Sequence, residues 1–413
     1  MADFHQNGSI ATLHNLSRRP VEYLEADLER FAQWRKLGLV LPSLYSELEG
    51  PALDRIVEDL VHVPYLNQIV IGLDMASKDQ FREAISYFGR LPQHHRILWN
   101  DGPRLKAVDK RLAEEGLAPA ERGKGRNVWF CYGYVLATGR AESIALHDCD
   151  IVTYDRSLLA RLIYPVANPR FNYEFSKGYY ARVSSSAING RVSRLLVTPM
   201  IRTLRQICGT NDYLEFMDSF RYPLAGEFAL RRDVITDLRL PHDWGLEIGV
   251  LSEMSRNYAS NRICQVDIAD KYDHKHQVLS AEDKSKGLSK MSIDIMKAFF
   301  RKLATQGEEF SHDRFRTIKA TYHRQALDFV QMYENDASMN GFRYDRHAEE
   351  QAVELFAANV VEAGKVFLEK PMEQPFIAPW NRVLNAMPDV LQRLHDAVEE
   401  DWEEFGGRPD TPE

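Results

Sequence analysis

Cysteine is scarce in this 413-residue sequence: Cys131, Cys149, Cys208 and Cys264 are the only four, widely spread and with no CxxC pair. The spacing gives no zinc-like cluster, and a chain of this size needs no disulfide framework, so a reducing compartment fits best. Long apolar runs are missing too. No stretch approaches the ~20 uninterrupted apolar residues of a membrane span, and Met1 to Pro20 holds no apolar leader core. The expectation is a cytoplasmic protein with no membrane partner. Basic charge is in deficit: 52 Lys and Arg against 60 Asp and Glu leave a net charge of -8, with a pI near 6.0. That balance excludes a general nucleic-acid partner, which needs a basic footprint. It does not exclude a small anionic ligand, because a local basic pocket or a metal ion overrides a mildly acidic average. Repeats and low-complexity segments are absent.

What the chain does have is core-forming material. It is 44% hydrophobic, 11% aromatic and 27% charged, the composition of a globular protein. The length suits a large α/β domain with a smaller appendage. Residues 1–36 are polar with a helical stretch from Pro20 to Phe31, which suggests an N-terminal helical extension. Leu37 to Pro42 is a short apolar run closed by Pro-Ser, expected as a buried strand leading into a loop. Leu53 to Leu60 has helical spacing, Gln68 to Asp74 reads as a second strand, Lys78 to Phe88 as a helix, and Arg96 to Trp99 as a third strand. Strands alternating with helices imply a parallel sheet with crossover helices. Gly123 to Arg126 opens a further helix, and Ser143 to Asp150 is a strand running into an acidic turn. A strand over Asn172 to Val183 and a helix over Leu195 to Arg205 follow. From 286 to 413 the patterns Met291–Ala304, His312–Gln331, Ala348–Phe367 and Asp389–Phe405 all read as helices, forming a C-terminal helical region.

In open α/β sheets ligands gather beyond the carboxyl ends of the strands. Asp74, Asp148 and Asp150 sit at such ends. Two carboxylates two residues apart can face one hard cation, leaving its other positions to phosphate oxygens and water; the same residues also fit a plain turn or helix cap. In Gly123-Lys124-Gly125 the glycines let backbone amides approach an anion and Lys124 supplies a point charge. The GxxxxGK[ST] spacing of a P-loop is absent, and a flexible basic turn is the competing reading. Ser184 to Arg194 places small hydroxyl residues, Gly190 and two arginines before a helical pattern, which suits a phosphate or carboxylate as well as a capped helix. Glu247 stands in an apolar stretch, either paired structurally or aimed at a ligand. His274 and His276 project to one side of an extended segment, and either can complete a metal shell or make a structural hydrogen bond.

Together, and in this order, these motifs resemble the glucosyl-3-phosphoglycerate synthase family of retaining glycosyltransferases, over roughly Leu39 to Gln277. Leu41-Pro42-Ser43-Leu44-Tyr45-Ser46-Glu47 resembles the family's opening strand and loop, Gly123-Lys124-Gly125 its Gly-Lys-Gly segment, and Asp148-Cys149-Asp150 its Asp-Ser-Asp. Lys177 lies in a strand similar to the family's Lys-Ser-Phe-Tyr. Asn189-Gly190-Arg191-Val192-Ser193 looks like its Gly-Gly-Arg-Val-Thr loop. Tyr222-Pro223-Leu224-Ala225-Gly226-Glu227 is similar to Gln-Pro-Leu-Ser-Gly-Glu, and Gly245-Leu246-Glu247-Ile248-Gly249 to Gly-Val-Glu-Ile-Gly. Cys149 and Ser193 depart from the family's Ser and Thr, small for small and hydroxyl for hydroxyl.

The resemblance implies a GT-A-type, Rossmann-like nucleotide-sugar-binding sheet over 37–285, with a donor half near 37–155 and an acceptor half near 156–285. It implies glucose transfer from a nucleoside-diphosphate glucose, UDP-glucose by preference, to the 2-hydroxyl of 3-phosphoglycerate with retention, in glucosylglycerate synthesis. The divalent cation, Mg²⁺ or Mn²⁺, falls to Asp150 and His274, with Asp148 as helper and His276 as the alternative to His274. The donor falls to Pro42, Ser43, Leu44, Glu47, Asp74, Lys124, Asp148 and Cys149. Asp150, Glu247 and Lys124 carry the chemistry, and Gly190, Arg191 and Ser193 take the acceptor phosphate. Rival readings are a mannosylglycerate-type synthase, a metal-dependent nucleotidyltransferase and a non-catalytic sugar-nucleotide binder. The helical tail is compatible with a homodimer.

Overall fold

One sheet of eight strands organises the chain, seen here in a computed structural model that describes residues 6, 8–184, 186–243, 245–274, 287–373 and 376–406. The strands are β1 Ala11–Leu13, β2 Leu37–Leu44, β3 Gln68–Asp74, β4 His95–Trp99, β5 Ser143–Leu146, β6 Phe175–Arg182, β7 Phe228–Arg231 and β8 Ile263–Tyr272, in spatial order β1-β8-β6-β7-β5-β2-β3-β4. Leu39 of β2 lies between Ile69 of β3 and Ala145 of β5, in parallel register. Both faces of these strands are covered by helices, which explains their continuous apolar runs.

Only β7 runs against its neighbours, antiparallel to β5 and β6, while β6 and β8 are parallel. This one reversal matters for function. The carboxyl ends of β2, β3, β5, β6 and β8 and the amino end of β7 therefore share one rim of the sheet.

Pro42 was expected to end the first long strand, yet β2 continues to Leu44. Its pairing with β5 stops at Val40, so at Pro42 the strand is paired with β3 alone. A strand that has become an edge on one side tolerates a residue with no N–H to donate.

The first 36 residues are more than a helical extension. β1 pairs with β8 and closes one edge of the sheet, while the helix Val21–Ala32 packs on the helix Arg156–Ala167, with Phe31 edge-on to Tyr164 at 5.3 Å and Glu25 3.0 Å from Arg156. A three-residue strand is too short to leave a period in the sequence.

The tail also works as two parts. Helices Gly287–Ala304, His312–Met339 and Arg346–Glu369 pack together and onto the Val192–Cys208 helical segment, where Phe299, Phe356 and Leu195 share a core. Helix Val390–Glu404 instead returns to the opposite edge of the sheet. There Arg96 of β4 meets Glu399 at 2.9 Å and Trp402 lies edge-on to His95; ahead of it, Trp380 of helix Trp380–Ala386 stacks on Trp129 at 4.1 Å. The open edge of β4 is thereby covered.

Candidate active site

The rim at the carboxyl ends gathers charged groups from far apart in the chain. Val152 N donates to Asp273 O at 2.9 Å, Asp273 N donates to Thr153 Oγ1 at 3.0 Å, and Ile151 bridges His274. This short zipper ties the acidic turn after β5 to the end of β8. It sets His274 Nδ1 3.3 Å from Asp150 Oδ2. Burial opposes the charge on Asp150, but the His274 contact and the field of Lys124 hold its carboxyl below the ordinary range.

Asp148 turns the other way. Its Oδ1 lies 2.6 Å from Lys124 Nζ, which also reaches Glu247 Oε1 at 3.3 Å. Burial disfavours the ammonium, yet Asp148 and Glu247 more than offset this and hold Lys124 well above its usual value. Gly226 makes the arrangement possible, since a Cβ there would overlap Asp148 Oδ2 and crowd Lys124 Nζ. Glu247 stands in the first turn of helix Leu246–Asn257, where a carboxylate is favoured by the helix dipole.

Asp148, expected as a helper ligand, is thus engaged by lysine and does not join Asp150 and His274. Among the described residues no cluster of three or more His, Cys, Asp or Glu side chains forms a metal cage. The pair nevertheless fits a Mg²⁺ or Mn²⁺ ion that substrate completes. Metal bonds of ~2.1 Å at right angles put neighbouring ligand atoms about 3 Å apart, and such ions keep most positions for phosphate and water. Charge points the same way: the carboxylates of Asp148, Asp150, Glu227 and Glu247 outnumber the ammonium groups of Lys124 and Lys177 in whose field they lie. His276 lies outside the described residues.

In Gly123-Lys124-Gly125 the second glycine has a packing role. Gly125 sits so close under the Pro241 carbonyl that a Cβ would collide with it, which locks the start of helix Lys124–Thr138 and fixes where Lys124 points.

Next to this centre, Leu44 and Asp74 are register partners at the ends of β2 and β3. Pro42 and Ser43 lie in the last residues of β2, Leu44 is 45% exposed, and Glu47 closes the short 3-10 turn Tyr45–Glu47. Cys149 is only 3% exposed and faces inward, with burial pushing its thiol up. Its side chain is a buried spacer between the two aspartates.

Asp74 is held by Asn127 Nδ2 at 3.1 Å, and burial pushes its carboxyl up to about 6. The sign follows: a carboxyl raised from 3.8 to about 6 adds stability below the lower value and loses it as pH rises through the higher. Asp74→Asn is therefore expected to raise the unfolding temperature near neutral pH. The gain should be at most on the order of 3 kcal/mol and vanish below about pH 4. Thermal melts of both proteins across that range would check it.

The acceptor segment lies across the rim. The loop after β6 bridges Val183 to Ile188, then passes Gly190 and Arg191 into the π-helical turn Val192–Val197. Arg191 Nε donates to Glu349 Oε1 at 2.6 Å. The Ser193 hydroxyl is buried and has no partner among the described residues. π-helical turns recur at functional sites, and a buried hydroxyl without a partner calls for an explanation.

Glu227, at the amino end of β7, is fully buried and accepts from Tyr272 at 2.6 Å and Tyr180 at 2.9 Å, whose rings stack at 3.7 Å. Burial and the charge of Asp148 raise its pKa, against the two hydroxyls and Lys124. Lys177 beside it donates to the Ala225 carbonyl, and burial brings its ammonium down to about 8 despite Glu247 and Glu227. The sequence offered both residues inside motifs, but without the third dimension gave them no role.

No family model matches this sequence. Against known proteins, the chain is 46% identical over 401 residues to a glucosyl-3-phosphoglycerate synthase of Persephonella marina, covering 97% of this chain and 99% of that one. A glucosyl-3-phosphoglycerate synthase of Methanococcoides burtonii is 38% identical over 407 residues, at 98% and 99% coverage. Among solved structures, the Mycobacterium tuberculosis glucosyl-3-phosphoglycerate synthase with Mn²⁺, UDP-glucose and phosphoglyceric acid resembles it with a TM-score of 0.52. That match has 19% identity and covers 71% of this chain and 88% of that one. A glycosyltransferase on a GT-A-type α/β sheet is the class that this fold and these relatives define. The two near-full-length relatives narrow it: the chain belongs to the glucosyl-3-phosphoglycerate synthase family.

Proposed function

We propose that this chain transfers glucose from UDP-glucose to the 2-hydroxyl of 3-phosphoglycerate, with retention of configuration and with Mg²⁺ or Mn²⁺ as cofactor. The observation that carries the reading is the Asp150–His274 pair, 3.3 Å apart although 124 residues separate the two in sequence. Residues near 37–155 handle the donor and those near 156–285 the acceptor.

A divalent cation held by Asp150 and His274 supplies Lewis-acid neutralisation of the leaving diphosphate. Pro42, Ser43, Leu44, Glu47 and Asp74 cradle the nucleoside. Lys124 holds Asp148 and Glu247 in place, and Glu247 accepts hydrogen bonds from sugar hydroxyls. Tied to an ammonium, Glu247 is a weak nucleophile, which favours a front-face route over a covalent glycosyl intermediate. In that route the bond from anomeric carbon to UDP breaks as the bond to the acceptor oxygen forms, and the acceptor's proton passes to the leaving phosphate. Gly190, Arg191 and Ser193 place the acceptor phosphate. The free thiols of Cys131, Cys149, Cys208 and Cys264 support a cytoplasmic setting.

The test is a matrix of common nucleotide sugars against 3-phosphoglycerate and glycerate, with products identified by mass. UDP-glucose with 3-phosphoglycerate is expected to dominate. Preference for GDP-mannose with glycerate, or release of pyrophosphate from a nucleoside triphosphate, would overturn the proposal.

A further inference from the structure

The acceptor loop does not stand alone; the tail grips it. Arg343 N donates to Ser186 O at 2.8 Å, Tyr322 Oη donates to Leu195 O at 2.6 Å, and Arg343 bridges Ala187. At the centre of this contact Glu349, on helix Arg346–Glu369, puts one buried carboxylate between two guanidinium groups. Oε1 takes Arg191 Nε at 2.6 Å and Oε2 takes Arg194 Nη2 at 2.9 Å.

The two arginines differ. The Arg194 side chain is 7% exposed; it donates to the Asn189 and Ile188 carbonyls at 2.8 and 3.4 Å and lies over the Tyr333 ring. That is a structural brace. The Arg191 side chain is 33% exposed, and its described hydrogen bond uses the inner Nε edge alone. A guanidinium is a planar fork, so a carboxylate that fixes one edge also fixes where the other edge points. The Nη edge of Arg191 is left to face a ligand.

We propose that Glu349 is a positioning residue for the acceptor: by holding Arg191 at Nε it aims the Nη edge at the phosphate of 3-phosphoglycerate. The C-terminal helical region thereby takes part in acceptor recognition without touching the acceptor. This inference rests on the reading of Arg191 as a phosphate-binding residue, and the experiment separates the two.

Michaelis constants are measured for both substrates in Arg191→Ala, Glu349→Ala and the double variant. Glu349→Ala is expected to raise KM for 3-phosphoglycerate about tenfold or more, the scale of one charged hydrogen bond, while KM for UDP-glucose stays within about twofold of wild type. Because Glu349 acts through Arg191, the double variant should be no worse than Arg191→Ala. A merely structural role would instead lower kcat and disturb both Michaelis constants, or multiply the two losses, and either result overturns the proposal. An unchanged KM for 3-phosphoglycerate in Glu349→Ala alone overturns it while leaving Arg191 in its role. An unchanged value in Arg191→Ala removes both. Glu349→Ala leaves two guanidiniums facing each other and is the variant at risk of misfolding. Glu349→Gln keeps the volume but offers Arg191 Nε a neutral amide oxygen in place of a carboxylate. The same cycle is then expected to show a smaller rise in KM for 3-phosphoglycerate that disappears on the Arg191→Ala background; no rise at all, or a rise that persists there, overturns the proposal.

Discussion

Asp150→Ala is expected to lower kcat by about 10³-fold or more, with no recovery at high Mg²⁺ or Mn²⁺. Asp150 contributes the one carboxylate on the rim that is paired with the imidazole rather than with lysine, and its partner His274 is 3.3 Å away. Asp148 is not placed to take over, because Lys124 Nζ holds its Oδ1 at 2.6 Å. Asp150→Asn sharpens the test: it keeps shape and one oxygen but removes the negative charge, so it should lose nearly as much. His274→Ala, which keeps the carboxylate, should lose less and be partly restored by excess cation. Steady-state rates across a metal titration, with Mn²⁺ binding followed by electron spin resonance, give the readout. More than a tenth of wild-type rate in Asp150→Ala would contradict the assignment.

The second large effect is expected at Lys124. Replacing it with methionine keeps the length of the chain and removes the charge that Asp148 and Glu247 share. Two half-buried carboxylates would then face each other unpaired, and Glu247 would lose the contact that aims it. A fall of about 10² to 10³-fold in kcat/KM is expected, the scale of losing one preorganised electrostatic group, together with a lower unfolding temperature. Lys124→Arg should not restore activity. A planar fork cannot replace a compact ammonium where Gly226 lies this close to both Lys124 and Asp148. If Lys124→Met melted early yet kept wild-type kcat/KM in its folded fraction, Lys124 would be a structural residue only.

Much of the donor side was legible in the sequence because it is built from long, periodic and local elements. Strand β3 spans Gln68–Asp74 and the helix after it Lys78–Phe88, the bounds that apolar periodicity gave. Its Ser77–Gln80 capping box is also local. The acidic turn at Asp148 and Asp150 could be placed because an apolar strand runs into it.

What escaped was long-range or short. β1 and β7 have three and four residues, below any detectable period. The antiparallel turn of β7, which brings Glu227 to the rim, depends on neighbours far away in sequence. Asp148 reads from the sequence as a helper beside Asp150, and nothing in a linear motif says that Lys124 lies between Asp148 and Glu247. Glu349 is 158 residues from Arg191, inside what reads as an ordinary amphipathic helix.

Release of UDP is the most direct measure of the central claim. Wild-type protein, UDP-glucose and Mg²⁺ are mixed with 3-phosphoglycerate, and UDP and the new glycosidic product are followed together by nuclear magnetic resonance. Expected is one UDP for each glucosyl-3-phosphoglycerate formed, an α linkage as in the donor, and no reaction after chelation of the metal. UDP release that ignores 3-phosphoglycerate, a β linkage, or full activity in chelator would contradict the account.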